Sequence, residues 1–452
     1  MKIVIIGLGT IGKTILKNLS DEDHTVTIID EDKDKIESLI EKYDVFGVVG
    51  NGACMDIQNE ANVKDADLVI VLTKSDELNI LACLVAKKVG AKNTIARVRN
   101  PDYRKQIALL KEDLGISMIV NPERETANEI FNLINLPSVA QIEYFAKGRV
   151  LLVEIVAEKG CSLIGETLIS LGRKLNINKI LICAVQRGDQ VMIPSGNFMI
   201  EEGDRIHFTS DQKTFSEFLS KVNLVKSPFK NIMIVGGGRT GFYLADELSK
   251  KKYAIKLIVN NKADADDLAE FLPRVTVVYG NGTQHDLLVE EGIEAMDAFV
   301  ALTDIDEENM IVSMFANKMR VKKTITKIKN DDLYDMLGEL GIKNNVSPKN
   351  IVASRIISYI RALANTRGSN VLTLYQLVNN QVEALEFSAR KQERFYDKPL
   401  KELRIKENCL IACIIRRNEV IIPDGNSEIK LGDNVIVVTT HKYFDDLTDV
   451  FE

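Results

Sequence analysis

The sequence has no C-x-x-C pair among its six cysteines and no metal-ligand spacing among its four histidines, at positions 24, 207, 285 and 441. A structural zinc site draws on such residues at short, regular intervals, so none is expected. Reduced, buried cysteines serving as small hydrophobes are expected instead, with Cys409 and Cys413 inside the apolar run "NCLIACII". No apolar stretch approaches the ~18–20 residues needed to span a bilayer. The longest are short, such as "LVIVL" at Leu68–Leu72. The first strand begins at Lys2, which leaves no room for a signal peptide, so a cytoplasmic location is expected. Basic charge is not in excess either: 58 basic against 65 acidic side chains give a net charge of −7. Nucleic-acid binding needs clustered Lys and Arg and is not expected. None of the 11 tyrosines opens a Tyr-x-x-x-Lys dehydrogenase signature. No His–Asp or Cys–His pairing lies in the landmarks described next. The chain therefore reads as a binding protein and not an enzyme, with an NAD-dependent oxidoreductase as the alternative.

What the chain does have, it has twice. Gly7, Gly9 and Gly12 in "IVIIGLGTIGKTIL" return as Gly236, Gly238 and Gly241 in "IMIVGGGRTGFYLA". "GNG" at Gly50–Gly52 returns at Gly280–Gly282, and "TKSDELN" from Thr73 returns as "TDIDEEN" from Thr303. "IPSGNFMIEEGD" from Ile193 returns as "IPDGNSEIKLGD" from Ile422. The offset stays between 229 and 230 residues. A chain of 452 residues is too long for one core, since domains run to about 100–200 residues. The repeat makes four domains the natural count, at 1–136, 137–224, 229–364 and 365–452. "KVNLVKSPFKN" around Pro228 reads as the link between the halves.

Each half opens with short apolar strands alternating with helices. In the first half the strands are "KIVII", "TVTIID", "VFGVVG", "DLVIVL", "NTIARV" and "SMIVNP". Such continuous apolar strands with helical crossovers predict a Rossmann-like, doubly wound parallel sheet. After Pro122, Ala127, Ile130, Phe131 and Ile134 form one helical stripe; Ala353, Ile356, Ile357 and Ile360 repeat it after Pro348. That helix either packs on its own domain or crosses to a neighbour. From about Ser138 and again from about Gly368 the texture changes to short strands, Gly-Asp turns and one helix, a small α+β module. The fold class is thus α/β, in two tandem repeats of a parallel sheet followed by a small α+β module.

Gly7, Gly9 and Gly12 follow a strand and open a helix. The first glycine permits the tight turn, the second lets backbone approach a pyrophosphate, and the third lets helix and strand pack closely. Thr10 and Ile11 lie inside that turn, at a helix N-terminus that favours phosphate. Asp30 ends the second strand, 18 residues past Gly12. A carboxylate there accepts from ribose hydroxyls and repels a 2′-phosphate, which favours NAD or an adenine nucleotide over NADP. The same residues also match a P-loop, Gly7-x4-Gly12-Lys13-Thr14. The second half argues against that NTPase reading, because Phe242 and Tyr243 stand where Lys13 and Thr14 do.

The acid itself does not return. Val259 stands in the place of Asp30, followed by Asn260 and Asn261. Arg239, inside "GGGRTG", is a candidate phosphate contact. The second site binds more weakly, prefers another nucleotide, or stays empty on this reading. Further candidates lie at strand C-terminal ends, where open α/β sheets bind ligands: Asn51, Gly52, Thr73 and Arg97, with Asn281, Gly282, Thr303 and Lys327 as counterparts. Arg97 reads as a ligand contact or a surface ion pair. Asp76 and Glu77 read as acids capping a helix N-terminus.

In "IIGLGTIG", Asp30, "VVGNGACMD", "DADLVIVLTKSDELNILAC" and "ARVRNPDY", with "IVGGGRTG", "VVYGNGTQHD" and "DAFVALTDIDEEN", the chain resembles the tandem RCK (regulator of K⁺ conductance) family of TrkA type. These are the peripheral cytoplasmic subunits of Trk potassium uptake systems. The resemblance covers essentially the whole length and implies an RCK-N Rossmann domain plus RCK-C module in each half. It implies a homo-oligomeric RCK ring on the inner face of the membrane, beneath an integral-membrane potassium-translocating subunit. NAD(H) or ATP/ADP in the clefts would bias that ring. Gly7, Gly9, Gly12, Asp30, Asn51, Gly52, Thr73 and Arg97 would line the first site. Glu123 resembles an acid that approaches a neighbour's nucleotide, and Lys349 replaces it in the second half.

Overall fold

The computed structural model describes residues 1–452 apart from 21, 23, 102, 104–112, 136–138, 146–149, 158, 176–179, 189, 223–228, 252, 343, 366–370, 378–380, 391–392, 418, 442–443 and 445. Most of the expected linker around Pro228 lies outside the described residues.

The first sheet holds β1 (Lys2–Ile6), β2 (Thr25–Asp30), β3 (Phe46–Val49), β4 (Leu68–Val71), β5 (Asn93–Arg97) and β6 (Met118–Val120). Its order is β3-β2-β1-β4-β5-β6, and every pair is parallel. The strand order reverses between β2 and β4 on either side of β1, which places a ligand crevice beyond the C-terminal ends there. The central strands β1 and β4 are buried along nearly their whole length, as strands covered on both faces must be. The second half repeats the arrangement with β12 (Asn231–Val235), β13 (Ala254–Val259), β14 (Thr276–Tyr279), β15 (Ala298–Ala301), β16 (Lys323–Lys327) and β17 (Asn344–Val346), in the order β14-β13-β12-β15-β16-β17.

Two antiparallel sheets of five strands make up the remainder. One comprises β7 (Val139–Phe145), β8 (Val150–Val156), β9 (Ile180–Arg187), β10 (Gln190–Met192) and β11 (Arg205–Ser210). The other comprises β18 (Val371–Leu377), β19 (Val382–Ser388), β20 (Cys409–Arg416), β21 (Glu419–Ile421) and β22 (Asn434–Thr439). The first module carries two helices, Leu168–Leu175 and Gln212–Lys221, not one as the sequence pattern predicts. The second carries 3₁₀ turns at Leu400–Glu402 and Leu447–Val450 among its described residues.

The chain is grouped by kind, not by half. Met1–Ile134 and Phe229–Ile357 form one compact unit, the two parallel-sheet domains. Asn135–Pro228 and Ser358–Glu452 form the other, the two antiparallel modules. Within the first unit the stripe on helix Pro122–Asn135 crosses to the second half. Ala127, Ile130, Leu133 and Ile134 share one core with Ile232 of β12, Ile255 and Leu257 of β13, and Leu244 and Leu248 of helix Arg239–Ser249. Glu125 of the crossing helix pairs with Arg355 of helix Pro348–Asn365. Within the second unit Val150, Leu152, Cys183 and Ala184 pack against Ala384, Ala412, Cys413 and Val438. The Thr209 hydroxyl donates to the Ala412 carbonyl across that seam at 3.1 Å. None of the six cysteines forms a disulfide; burial pushes the Cys183 and Cys413 thiols up to about 12, which suits inert packing groups, whereas Cys54 is exposed and departs from the expectation of a buried hydrophobe.

The repeated Gly-Asp turn has a structural explanation. Asp204 accepts from Arg187 at 2.8 Å through both oxygens, and Asp433 takes Arg416 the same way at 2.9 and 2.7 Å. Each turn thereby ties a strand entrance to the strand beside it with a two-pronged, charge-assisted bond.

Candidate functional site

The glycine turn is built from two glycines the fold requires and one it does not. Gly7 lies at φ +92°, and a Cβ there would meet the Thr73 nitrogen at 2.8 Å. A Cβ on Gly12 would come to 2.4 Å from the Gly7 carbonyl oxygen. Gly9 is different: its φ is −72°, an ordinary value, and nothing lies within 4 Å of where its Cβ would be. The second turn repeats this. Gly236 has φ +115°, a Cβ on Gly241 would meet the Gly236 oxygen at 2.1 Å, and Gly238 faces open space at φ −65°. Gly52 and Gly282 are required by packing, since a Cβ on them would meet Ile6 at 2.1 Å and Val235 at 2.3 Å. Asn51 and Asn281 shape their own turns, accepting from Ala53 N–H at 2.9 Å and Thr283 N–H at 3.0 Å.

Asp30 sits beside the first turn. Its carboxylate accepts from Leu8 N–H at 2.7 Å, Asp32 N–H at 3.1 Å and Lys35 Nζ at 3.0 Å. Partial burial opposes its ionisation, but those donors outweigh it and hold the pKa below the ordinary carboxylate value. Each carboxylate oxygen has two lone pairs, so the group retains capacity for a ribose hydroxyl. In the second half Gly237 and Val259 fill this corner. A Cβ on Gly237 would lie 2.7 Å from a Val259 methyl, and Val259 is buried.

The T-x-x-D-E-x-N repeat is a latch. Asn79 Oδ1 accepts from Thr73 N–H at 2.8 Å and from the Thr73 hydroxyl at 2.6 Å. Its amide donates to the carbonyls of Thr73 at 3.3 Å and Arg97 at 2.8 Å. Asn309 does the same for Thr303 N–H and for the carbonyls of Thr303 and Lys327. Asp76 and Glu77 occupy a helix first turn, but the cap is Ser75, whose hydroxyl accepts from Leu78 N–H. The Asp76 carboxylate instead accepts from the N–H groups of Arg99 and Asn100, both at 2.8 Å, and so fixes the exit of β5. Asp306 holds Lys329 and Asn330 identically.

The P-loop match is not used as one. Lys13 is exposed, and the Thr14 hydroxyl donates to the Thr10 carbonyl one turn back. Tyr243, the counterpart of Thr14, is buried and turned to the first half. Its hydroxyl donates to the Arg99 carbonyl at 3.0 Å and accepts from Asn121 at 3.2 Å.

A cavity of about 920 Å³ opens at the second turn. Gly236, Gly238, Arg239, Asn281, Gly282 and Thr303 line it; Gly241 lies behind, in the helix–strand contact. Groups from the first half line it as well: Thr10 and Ile11 of the first turn, Arg97, and Glu123. Arg97 is half-buried, with its Nε buried and unpartnered, and Glu123 Oε2 is in the same condition. Burial lowers the pKa of Lys327, which is only 7% exposed and donates to the Leu302 carbonyl at 3.1 Å. Sequence reasoning missed Gln58, whose buried amide donates to the carbonyls of Gly52 at 2.7 Å and Ala82 at 3.0 Å. It also missed Asn121 and Tyr243; the break in the repeat at Thr14 and Tyr243 was the available signal.

Comparison with known proteins agrees with this architecture domain by domain. The TrkA-N domain family matches residues 3–122 and 232–348, and the TrkA-C domain family matches 152–223 and 385–452. The chain belongs to the TrkA family. The Trk system potassium uptake protein TrkA homolog 1 of Methanosarcina mazei is 32% identical over 97% of both chains. TrkA of Vibrio alginolyticus is 30% identical over 100% of this chain and 99% of its own. Such relatives are named as potassium uptake proteins of the Trk system. In fold it is similar to the GsuK channel, with a TM-score of 0.65 at 18% identity over 98% of this chain and 77% of that one. It is likewise similar to the GsuK channel bound to NAD, with a TM-score of 0.64 at 18% identity and the same coverage. No helix among the described residues is long and apolar enough to cross a membrane.

Proposed function

We propose that this TrkA-family chain is a nucleotide-sensing regulatory subunit of a potassium uptake system. It holds NAD(H) or ATP/ADP in its parallel-sheet domains without consuming it, and so gates an integral-membrane potassium-translocating subunit. It works from the cytoplasmic face, as a homo-oligomeric ring of RCK units. Family membership and full-length similarity to TrkA proteins support the transport role. A channel similar in fold, GsuK, has been solved bound to NAD, which is in keeping with this reading.

One observation carries nucleotide binding. Gly9 and Gly238 sit in open space at φ values any residue can adopt, so no steric constraint of the fold demands glycine there, beyond its modest preference as a helix N-cap. Close approach of a pyrophosphate to the backbone does. The helix N-terminus beyond supplies unpaired N–H groups. The residues proposed to hold the nucleotide in the first half are Gly7, Gly9, Thr10, Ile11, Gly12, Asp30, Asn51, Gly52, Thr73 and Arg97. Gating then follows from linkage: a ligand shifts a two-state ring by its difference in affinity for the two states. The test is calorimetry of NADH, ATP and ADP on the purified protein and on Asp30→Ala. It is followed by co-purification with a membrane subunit and ion-flux measurement with each ligand. Weakened NADH binding in Asp30→Ala is expected; unchanged affinity would remove the first cleft from the scheme.

A further inference from the structure

Each parallel sheet has an open edge away from the seam between the halves' repeats of strand order, β3 in the first and β14 in the second. Each of these strands pairs with one neighbour, so one row of its backbone N–H and C=O groups has no strand partner. The four most exposed large hydrophobic side chains among the described residues all lie at these two edges. Phe46 of β3 is 69% exposed, and Tyr279 of β14 is 59% exposed. Phe271, at 71%, ends helix Lys262–Phe271, which packs on β14. Met55, at 57%, opens helix Met55–Glu60, which packs on β3. Apolar surface held in water at such sites marks a place where a partner gains by covering it.

Negative charge is concentrated at the same places. Residues 31–66, around β3, hold nine acids and four bases; residues 261–296, around β14, hold eight acids and two bases. Together these stretches are more negative than the whole chain, whose net charge is −7. Helix stability does not call for this. Glu270 and Glu290 stand in last turns that contain no base, where the helix dipole favours cations. Acids alone would guard an open edge against pairing with another edge, but exposed phenylalanine and tyrosine work against that end.

The charge also decides what can cover these edges. A second copy would bring acid against acid. Nucleic acid and the anionic cytoplasmic leaflet carry the same sign and are repelled. A cationic polypeptide segment with apolar side chains fits both features. Cytoplasmic loops of integral-membrane proteins carry just such an excess of Lys and Arg.

We propose that the open edges at β3 and β14 are docking surfaces for Lys/Arg-rich cytoplasmic loops of the integral-membrane subunit. At β14 the loop lies along the edge strand, where main-chain hydrogen bonds hold it. Its cations meet Asp266, Asp267 and Glu270, and its apolar side chains cover Phe271 and Tyr279. At β3, Phe46 and Met55 take the same part. This rests on the membrane-partner reading above and adds the place and the chemistry of the contact.

The experiment uses the full-length protein and its co-expressed, detergent-solubilised membrane subunit. Affinity is measured at low and high salt for wild type and four variants. These are Asp266→Lys with Asp267→Lys and Glu270→Lys, Phe271→Ser with Tyr279→Ser, Phe46→Ser with Met55→Ser, and Leu431→Ser. Leu431, 56% exposed but in an antiparallel module, is the control. All the substituted side chains are exposed, and thermal unfolding checks the fold of each variant. Each edge variant should bind at least about tenfold more weakly, the scale of a lost interface hot spot. Wild-type binding should weaken with salt, and Leu431→Ser should match wild type. Wild-type affinity in the variants of one edge would strike that edge from the proposal, and at both edges would overturn it. Edge variants that reduce the oligomeric size of the protein alone would also overturn it, making the edges a contact between copies. So would binding to phosphatidylglycerol vesicles that Phe271→Ser with Tyr279→Ser abolishes. A wild-type protein that binds no membrane subunit would defeat the membrane-partner reading itself, an outcome distinct from the others.

Discussion

The two glycines Gly9 and Gly12, three residues apart, should separate binding from folding. At Gly9 an added methyl meets nothing within 4 Å, and φ is −72°. Alanine there restricts the unfolded chain, which stabilises by about 0.4–1 kcal/mol. It is also a poorer N-cap than glycine, by roughly 0.5–1 kcal/mol. The two effects oppose each other, so Gly9→Ala should leave stability within about 1 kcal/mol of wild type. At Gly12 the methyl would lie 2.4 Å from a backbone oxygen that cannot move without displacing the turn. Overpacking of this sort costs about 1–3 kcal/mol, opposed by roughly 1 kcal/mol of helix propensity.

Binding should run the other way. If the space at Gly9 is where a pyrophosphate approaches, the methyl displaces it, and the same overpacking scale of about 1–3 kcal/mol applies. At about 1.4 kcal/mol per decade that is some 5- to 150-fold in affinity. Thermal unfolding and NADH calorimetry on the two variants are sufficient. Gly9→Ala should unfold with wild-type stability and bind poorly, while Gly12→Ala should be the less stable of the two. Wild-type NADH affinity in Gly9→Ala would refute the argument, because the one glycine of the turn that no steric contact requires would then have no binding role either.

Asn79→Ala removes four hydrogen bonds that close the latch and should destabilise the first parallel-sheet domain by about 2–4 kcal/mol, from roughly 1 kcal/mol per bond; denaturant unfolding reads it. Ile130→Ala empties a fully buried position in the core shared by the two halves and should cost about 2–5 kcal/mol; a change under about 0.5 kcal/mol would show that the crossing helix is not packed as described. Asp204 is buried, which works against ionisation, yet its bonds from Arg187 and Glu201 N–H hold its pKa below the ordinary 3.8. Its folded-state value being depressed, its stabilisation is present above about pH 3.8 and is lost as pH falls through the folded value. The stability gap between wild type and Asp204→Asn should therefore be full near neutrality and close in acid; a gap independent of pH would rule this out.

The parallel sheets were legible because buried strands and Gly-Asp-Asn punctuation are local signals. "DLVIVL" can be little other than a central strand, and the glycines report tight turns that need only their own neighbours. What sequence pattern does not carry is which surfaces meet. The stripe of Ala127, Ile130 and Ile134 demands a partner, but nothing in it names β12 and helix Arg239–Ser249 of the other half. Asp76 misled for the same reason. Its place in a helix first turn is local, whereas the Arg99 and Asn100 N–H groups it serves are brought in by the fold, 23 and 24 residues away. Val259 announced that the second site differs, but the charge gathered there from both halves became visible only in three dimensions.

The latch and the crossing contacts together form a continuous path between the clefts. Thr73, at the first cleft, is held by Asn79, which also holds the Arg97 carbonyl. Asp76 fixes Arg99, whose carbonyl receives both Asn121 and the Tyr243 hydroxyl. Tyr243 stands on the helix whose first turn is the second glycine motif. Contiguity alone does not establish coupling, so we predict a specific consequence. Tyr243→Phe removes the polar link at the seam and leaves the ring in the core. The hydroxyl makes two such bonds, to the Arg99 carbonyl and from Asn121; at about 0.5–1.5 kcal/mol each they are similar to a typical allosteric coupling of about 1–3 kcal/mol. The variant should therefore fold nearly as well as wild type but lose most of any effect that ligand in one cleft has on affinity in the other. Calorimetry of NADH with and without saturating ATP measures that effect directly. If the ratio of the two affinities is the same in Tyr243→Phe as in wild type, the seam carries structure only, and the coupling must run through the apolar core around Ile130.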